Sequence, residues 1–357
     1  MEGYYFPISL QDLNAVQDII RQREIFCASV PEDFDIYDCL TWRRQAAHYE
    51  TGVCAFFDRN VLNDVIDLVR SAELQTSGSC SERGRIGAAI MAFLQCSNIA
   101  LEPNVALYED SSRAAEELRL FRRADEVDSR RYTDIALQRR ESIPNKSLPE
   151  PHGSIPEVDF QMRIKGHRNL RVAALKIAEL ELSAVSPVEK MERFLRWSYS
   201  HFLLLPGPIF FAGTYFAPRR QSTLLKNVRS RDRQKALEAV DNAVWDLQVM
   251  NQWTKLVRLQ HEENRFWLLC SRDKALREIA VAGLYFSDEP FGSEEVLKNF
   301  FETYWGKRDA NYLTDLTLTV KREKDNAERM VNRNQSSNYP DELASQLKAS
   351  ILTWRPN

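Results

Sequence analysis

The feature that most constrains the fold of this chain is an apolar run that ends on an acid and passes directly into a helix. Residues 53–57 read VCAFF, Asp58 follows, and the next residues repeat apolar side chains at the helical period of about 3.6. Residues 266–270 read FWLLC and lead within three positions to Asp273 and a second helical pattern. Apolar strands that alternate with helices predict an α/β protein with a parallel sheet covered on both sides.

Acidic residues at the ends of parallel strands are candidates for function, because functional groups gather at the carboxyl edge of such sheets. Asp58 and Asp273 are expected at this edge. The alternative for Asp58 is a plain helix N-cap, since a carboxylate before a helix satisfies free backbone N–H groups. A further apolar run at 281–286, VAGLYF, predicts an edge strand.

Composition limits the class of protein. The chain has 357 residues, of which 44% are hydrophobic and 28% charged, as in a soluble globular protein of one large or two ordinary domains. A net charge of −3 excludes a globally basic nucleic-acid binder and allows local basic patches. No signal-peptide pattern and no apolar segment of about 20 residues is present. These features predict a cytoplasmic protein without membrane contact.

Cysteine and histidine spacing argues against zinc and against a disulfide framework. The six cysteines include no CxxC pair, and the five histidines show neither HxxxH nor HxH spacing. Free thiols in a reducing compartment are the expected state of the cysteines. Oxygen donors are therefore the candidate ligands for any metal.

Two further acids stand in apolar helical surroundings. Glu109 follows an apolar pair in ALYED, and Asp246 lies within AVWDLQ. An acid in such a setting is costly unless it is paired or binds a cation. Carboxylates without histidine or cysteine partners favour Mg²⁺ or Mn²⁺. Nearby acids that compete with these two assignments are Asp110, Glu116, Glu117 and Asp241.

The order of these elements resembles the PIN-domain nuclease superfamily. That family opens with an apolar strand, Asp-x-Asn and an apolar helix, as in FFDRNVLNDVIDL. It continues with a helical Glu after the second strand, as in ALEPNVALYED, and a third acid on a later helix, as in NAVWDLQVMNQW. It closes with a strand ending in Thr/Ser-x-Asp/Asn, as in FWLLCSRDKAL. The likeness covers 53–109 and 240–286; Arg59 replaces a small hydroxyl residue, and the intervals around Asp246 are longer than usual.

The resemblance implies a PIN-like three-layer α/β/α core with a short parallel sheet. On this interpretation residues 1–52 form an N-terminal helical extension, and 53–286 form the PIN-like domain with a helical insertion at about 111–235. Residues 287–357 form a C-terminal helical extension. The extensions are candidate surfaces for a protein partner or for a second copy of the chain.

The resemblance also implies a metal-dependent endonuclease that hydrolyses phosphodiester bonds, in RNA first and in single-stranded DNA second. Its catalytic and Mg²⁺- or Mn²⁺-binding carboxylates would be Asp58, Glu109, Asp246 and Asp273. Asn60 and Ser271 would hold the turns that carry the acids. In prokaryotes such proteins often act as toxins or defence effectors.

A basic stretch at 218–235 contains one acid, Asp232, and leads into the helix that carries Asp246. It is either a solvated helix face or a surface that follows a phosphate backbone. The predicted nucleic-acid contacts, including one from the last strand–helix turn, are Arg219, Arg220, Lys226, Arg229 and Arg272.

Two other functional classes stay open. A catalytically degenerate PIN-like scaffold would bind RNA or a protein partner without cutting, and its four acids would not converge. A helical interaction protein would use its long helical regions to bind a partner and would have no metal affinity. GxxxxGK[ST], GxGxxG after a strand and GxSxG are all missing from the sequence, so it does not indicate the enzyme families that those motifs mark.

Overall fold

A computed structural model of the chain describes residues 4–75, 80–150, 164, 166–219, 225–287, 294–323 and 338–355. It divides into two compact units. The first unit comprises Met1–Met162 and Lys255–Arg277, and the second comprises Arg163–Thr254 and Glu278–Asn357. The predicted boundaries of a PIN-like domain, its insertion and its extensions stay a prediction.

The first unit combines short strands with helices. Serine or aspartate side chains cap α1, α2 and α4, because a polar residue precedes each helical pattern and accepts from a first-turn N–H group. In chain order its described elements are α1 (Leu10–Gln22), β1 (Phe26–Cys27), α2 (Cys39–Tyr49), β2 (Gly52–Phe57), α3 (Arg59–Glu73), α4 (Glu82–Cys96), β3 (Ala100–Glu102), α5 (Asn104–Tyr108), α6 (Ala114–Asp125), α7 (Ser129–Ala136), a 3₁₀ turn (Asn145–Ser147) and β4 (Arg265–Cys270).

The four described strands form one sheet in the order β1-β4-β2-β3. β2 pairs in parallel with β3 on one side and with β4 on the other, where Phe57 lies opposite Cys270. β1 pairs antiparallel with β4. The predicted α/β class with a mainly parallel sheet is confirmed. Because β2 and β4 are neighbours, the residues that follow them emerge side by side at the same edge.

Both faces of β2 are covered. Ala55 and Phe57 belong to the main buried cluster, and Phe57 packs edge-on against Phe121 of α6 with ring centroids 5.2 Å apart. Cys54 and Phe56, on the opposite face, are also buried. A strand that is buried on both faces reads as a continuous apolar run, which is why VCAFF is recognisable in the sequence.

The crossing of α3 and α4 depends on Gly87. A Cβ atom at this position would lie 3.0 Å from the carbonyl carbon of Asp64 and 3.1 Å from its carbonyl oxygen. Only glycine lets the backbone of α4 approach α3 this closely. This contact fixes the second turn of α4 relative to the residues of α3 that follow Asp58.

The described part of the second unit is helical. Within it α8 packs against α9, α10 and α15. No helix of the described residues is long and apolar enough to cross a membrane. Its helices, of which α11 and α12 extend into the first unit, are α8 (His167–Leu182), α9 (Pro187–His201), α10 (Pro206–Tyr215), α11 (Arg233–Arg258), α12 (Lys274–Ser287), α13 (Glu294–Tyr304), α14 (Lys307–Arg322) and α15 (Tyr339–Thr353).

The edge strand predicted at 281–286 is wrong, because these residues continue α12. The buried side chains Leu276, Ile279 and Ala280 recur at three- and four-residue spacing, which is the spacing of a helix. The sheet instead contains the antiparallel strand β1. Its two residues, Phe26 and Cys27, are too few to show the alternation by which strands are recognised.

Candidate functional site

Two strand–helix turns form the candidate site in the first unit. One carries Asp58 after β2, and the other carries Ser271 and Asp273 after β4. The backbone N–H of Asp58 donates to the carbonyl oxygen of Cys270 at 3.0 Å, so the ladder between β2 and β4 continues into the turns. The N–H of Ser271 donates to the carbonyl oxygen of Ile25, also at 3.0 Å. Both turns are therefore anchored by backbone hydrogen bonds.

Asp58 lies at the N-cap position of α3, yet its side chain makes no capping hydrogen bond to that helix. Instead, its Oδ2 accepts from the hydroxyl of Ser271 at 2.6 Å and from the side-chain amide of Asn60. The side chain is only 4% exposed. A capping role thus explains the position of the residue but not the direction of its carboxylate.

Asp273 does cap a helix. Its Oδ1 accepts from the N–H of Leu276 at 3.2 Å, in the first turn of α12. Its own N–H donates to the Ser271 hydroxyl oxygen at 3.0 Å. Ser271 is fully buried, and its hydroxyl therefore contacts both acid-bearing turns at once.

Asn60 joins the same two turns from the side of α3. Its amide nitrogen donates to Asp58 and lies 3.4 Å from the Ser271 hydroxyl oxygen. Its amide oxygen accepts from the backbone N–H of Arg272 at 3.0 Å. The two residues predicted to hold the acid-bearing turns make these contacts.

Glu109 follows the last residue of α5 and is half-buried. Burial raises the pKa of its carboxyl group to about 7; the Arg59 guanidinium opposes this shift, and the charges of Asp58 and Asp110 add to it. Within the described residues its carboxylate makes no hydrogen bond and no ion pair. It is thus an acid that stands within the electrostatic reach of Asp58 and holds its proton up to near-neutral pH.

The environment of Asp58 also disfavours its charged form. Burial raises the pKa of Asp58 to about 6, and the charge of Asp273 adds to the shift. The hydrogen bonds from Ser271 and Asn60 act in the opposite direction. The first unit therefore brings Asp58, Asp273 and Glu109 into one electrostatically linked group.

Carboxylate oxygens, such as those of Asp58 and Asp273, are the ligands that hard divalent cations prefer. Among the described residues no three His, Cys, Asp or Glu side chains lie close enough together to hold a metal ion by themselves. Mg²⁺ is usually bound through one or two carboxylates, with water and substrate phosphate as its other ligands. The pair of Asp58 and Asp273 fits that pattern, and a cation beside Asp58 would offset the cost of burying its charge.

The fourth predicted acid belongs to the other unit. Asp246 lies on α11 within the part assigned to the second unit and is half-buried. The structure thus gathers three of the four predicted acids within the first unit.

Arg272 is occupied by an ion pair. Its Nε lies 2.7 Å from Oδ2 of Asp64 and its Nη2 donates to Oδ1 at 3.2 Å; the shorter approach is poorly directed for a hydrogen bond. Asp64 is 5% exposed, and burial raises its pKa to about 6 although Arg272 lowers it. Arg272, predicted to contact nucleic acid, therefore ties the β4–α12 turn to α3.

The predicted basic surface at 218–235 lies in the second unit. Arg219 and Lys226 are exposed. Arg229 pairs with the buried Glu181, with 2.8 Å between Nε and Oε1. Arg220 lies outside the described residues. Of the predicted contacts that the structure describes in this stretch, Arg229 is thus engaged by an acid.

The first unit contains a cavity of about 720 Å³ that the sequence does not predict. It runs beside α3 and shares Arg59, Asn60 and Arg272 with the two acid-bearing turns. The feature of the sequence that could have indicated it is the row of polar residues along one side of α3, which includes the buried Asp64.

Comparison with known proteins adds no relative: no protein-family model, no curated protein and no solved structure matches this chain.

Proposed function

We propose that the first unit is a PIN-like, metal-dependent endonuclease whose site lies at the carboxyl edge of β2 and β4. One observation carries the proposal. Asp58 is a buried carboxylate at the start of a helix that it does not cap, and it faces a hydroxyl that also contacts the turn of Asp273. An ionised carboxylate in this setting is costly, and a bound cation is the simplest compensation. RNA is the first candidate substrate and single-stranded DNA the second.

Each residue of the site has a separate role in the proposed reaction. Asp58 and Asp273 would hold Mg²⁺ or Mn²⁺, which when bound neutralises the phosphodiester charge and lowers the pKa of an attacking water. Ser271 and Asn60 orient Asp58 by donating to its Oδ2. Glu109, with a pKa raised to about 7, can take up or release a proton near neutral pH, as general acid–base catalysis requires.

The decisive experiment is cleavage of a mixed pool of labelled RNAs and single-stranded DNAs with Mg²⁺ or Mn²⁺. We expect Asp58→Asn to lower the rate by roughly 100-fold or more, because it removes a ligand of the ion. Asp18→Asn is the matched control, since Asp18 is exposed on α1 of the same unit. Equal cleavage by wild type and Asp58→Asn would remove Asp58 from the reaction and the proposal with it.

The second candidate is a scaffold of the same shape that binds RNA or a protein partner without cutting it. The observation that favours it is that no three candidate ligands of the described chain close around one ion. It predicts that the wild-type protein binds labelled RNA and leaves it intact with every divalent ion tested. It also predicts that Asp58→Asn binds RNA as tightly as the wild type does.

A further inference from the structure

The cavity beside α3 is long enough to accept several linked groups rather than one small ion. Both Asn60 and Leu74 line it, and the fourteen residues from one to the other span about 21 Å of helix at about 1.5 Å per residue. Asn60 is also the residue that hydrogen-bonds Asp58 and the β4–α12 turn. One end of the cavity therefore lies against the candidate site.

Arginine side chains from four parts of the first unit line the cavity, namely Arg59 and Arg70 of α3, Arg83 of α4, Arg113 before α6 and Arg272 after β4. The acidic residues of the lining are Asp64, Asp67 and Glu141. Asp64 forms an ion pair with Arg272. Asp67 forms an ion pair with Arg70 at 2.7 Å, and the side chain of Asp67 is 64% exposed. An exposed pair of this kind contributes little and yields to a stronger anion.

Two further arginines share one carboxylate. Arg59 binds both oxygens of Glu117, at 2.6 and 3.0 Å, and Arg113 approaches the same carboxylate at 3.2 Å. Glu117 is 1% exposed, whereas the side chain of Arg113 is 50% exposed. Asp110 lies 3.9 Å from Arg113, at the limit of an ion pair. Arg113 thus keeps donors that face solvent at the cavity.

Arg83 is the arginine of this lining that is most available to a ligand. It is exposed, and among the described residues it forms neither an ion pair nor a hydrogen bond. It lies in the first turn of α4, where free backbone N–H groups add to the positive potential. Its charge reaches the cavity, because it lowers the pKa of Asp64.

The lining favours phosphate over bases. Guanidinium groups bind phosphate oxygens with two parallel hydrogen bonds. None of the described lining residues is aromatic, so the cavity offers no stacking platform for a base. A ligand held here would be recognised through its charge and its backbone, with little dependence on sequence.

We propose that this cavity, and not the basic stretch at 218–235, binds the phosphate backbone of a nucleic-acid strand next to the acidic edge. The inference rests on the proposed function for the class of its ligand. The two proposals can be tested separately, because binding of the phosphate backbone requires neither a divalent ion nor cleavage.

Binding of a fluorescein-labelled 12-nucleotide oligo(U) RNA, measured by fluorescence anisotropy in EDTA, tests the inference without cleavage. We expect Arg83→Ala to raise Kd about fivefold or more and Arg83→Glu to raise it further. The slope of log K against log salt should fall by about 0.7 for each lost phosphate contact on a single strand. Arg83→Gln keeps the stem of the side chain and serves as the mild variant, with thermal melting of each protein as the check on folding.

Two sets of control variants test whether binding depends on the cavity or on exposed basic residues elsewhere. Arg44→Glu changes an exposed arginine of α2 in the same unit, and Arg219→Glu and Lys226→Glu change the basic stretch of the second unit. We expect all three to bind the RNA within about twofold of the wild type. Unchanged binding by the Arg83 variants, loss of binding in Arg219→Glu, or no binding by the wild type would each overturn the inference. Binding that depends on Arg83 without cleavage in Mn²⁺ would uphold it and overturn the nuclease proposal alone.

Discussion

At the scale of single residues, the carboxylate of Asp58 destabilises the folded chain at neutral pH. Its pKa is raised from 3.8 to about 6, so between these values the folded state holds a proton that the unfolded state has released. The contribution of Asp58 to the free energy of unfolding is therefore most favourable below about pH 4, and this favourable contribution is lost as the pH rises through about 6. We expect Asp58→Asn to raise the free energy of unfolding at pH 8 by up to about 3 kcal/mol, at about 1.4 kcal/mol per pKa unit.

Urea denaturation of both proteins at pH 4 and pH 8, without divalent ions, measures this effect. The gain should be largest at pH 8 and small at pH 4, where Asp58 is protonated in the folded state and still partly protonated in the unfolded state. Asp18→Asn should change little at either pH, because Asp18 is exposed. A variant less stable than the wild type at pH 8 would show that the hydrogen bonds of Asp58 outweigh its burial.

The sequence places Asp58 and Asp273 well because each follows an apolar strand, and strand neighbours bring their ends together. Glu109 is indicated by its apolar neighbours and by the family resemblance, and not by a position at the end of a strand. The pairing of Arg59 with Glu117 cannot be read from the chain, because it joins residues of α3 and α6 whose contact depends on packing. Asp64 looks like one acid of an amphipathic helix, and only the structure shows that it is buried beside Arg272.

At the scale of elements, a single hydroxyl joins the β2–α3 and β4–α12 turns. Ser271→Ala would leave Asp58 without its 2.6 Å donor and the N–H of Asp273 without its acceptor. Asp58 keeps the Asn60 amide as a donor, and an unsatisfied buried polar group costs about 1–3 kcal/mol, so we expect the variant to lose about 1–3 kcal/mol of stability at pH 8. Chemical denaturation measures this loss.

A second buried serine provides the comparison. Ser97 is 1% exposed at the end of α4 in the same unit, and among the described residues no hydrogen bond joins its hydroxyl to a carboxylate. Ser97→Ala should cost less than about 1 kcal/mol, because a neutral hydroxyl contributes little net stability. If both serine variants lose the same amount, the effect of Ser271→Ala arises from packing and not from its contact with Asp58.

The elements themselves were largely predictable. β2 and β4 stand out because strands buried on both faces are continuously apolar, and α3 follows from its regular period. The run at 281–286 is equally apolar, and its helical state depends on the start of α12 directly after Asp273, eight residues before the run. Local composition cannot distinguish a buried strand from a buried helix when the deciding residue lies outside the run.

At the scale of the whole molecule, the division into two units makes the assignment of Asp246 testable. Hydrogen exchange with and without Mn²⁺, at about 100 times its Kd, should protect the slowest amides of the first unit by up to about 100-fold. The turns around Asp58 and Asp273 should respond most strongly, and α11 around Asp246 should not respond. Asp58→Asn should abolish the protection.

Equal protection of α11 in this experiment would contradict a site built from three acids. It would indicate that Asp246 binds the ion as well, as the family resemblance implies. Protection that survives in Asp58→Asn would instead indicate that Mn²⁺ binds elsewhere.

The order of the strands determines when, during synthesis of the chain, the sheet can be completed. β4 lies between β1 and β2, although most of the chain separates it from both. At about 5–20 residues per second, a ribosome needs about 10–40 s to pass from the end of β2 to β4. During that interval β1 lacks its partner strand, and neither Ser271 nor Asp273 exists. A nascent chain therefore carries Asp58 without Asp273 during that interval, and under the proposed function it would become able to cut RNA only after β4 has been made.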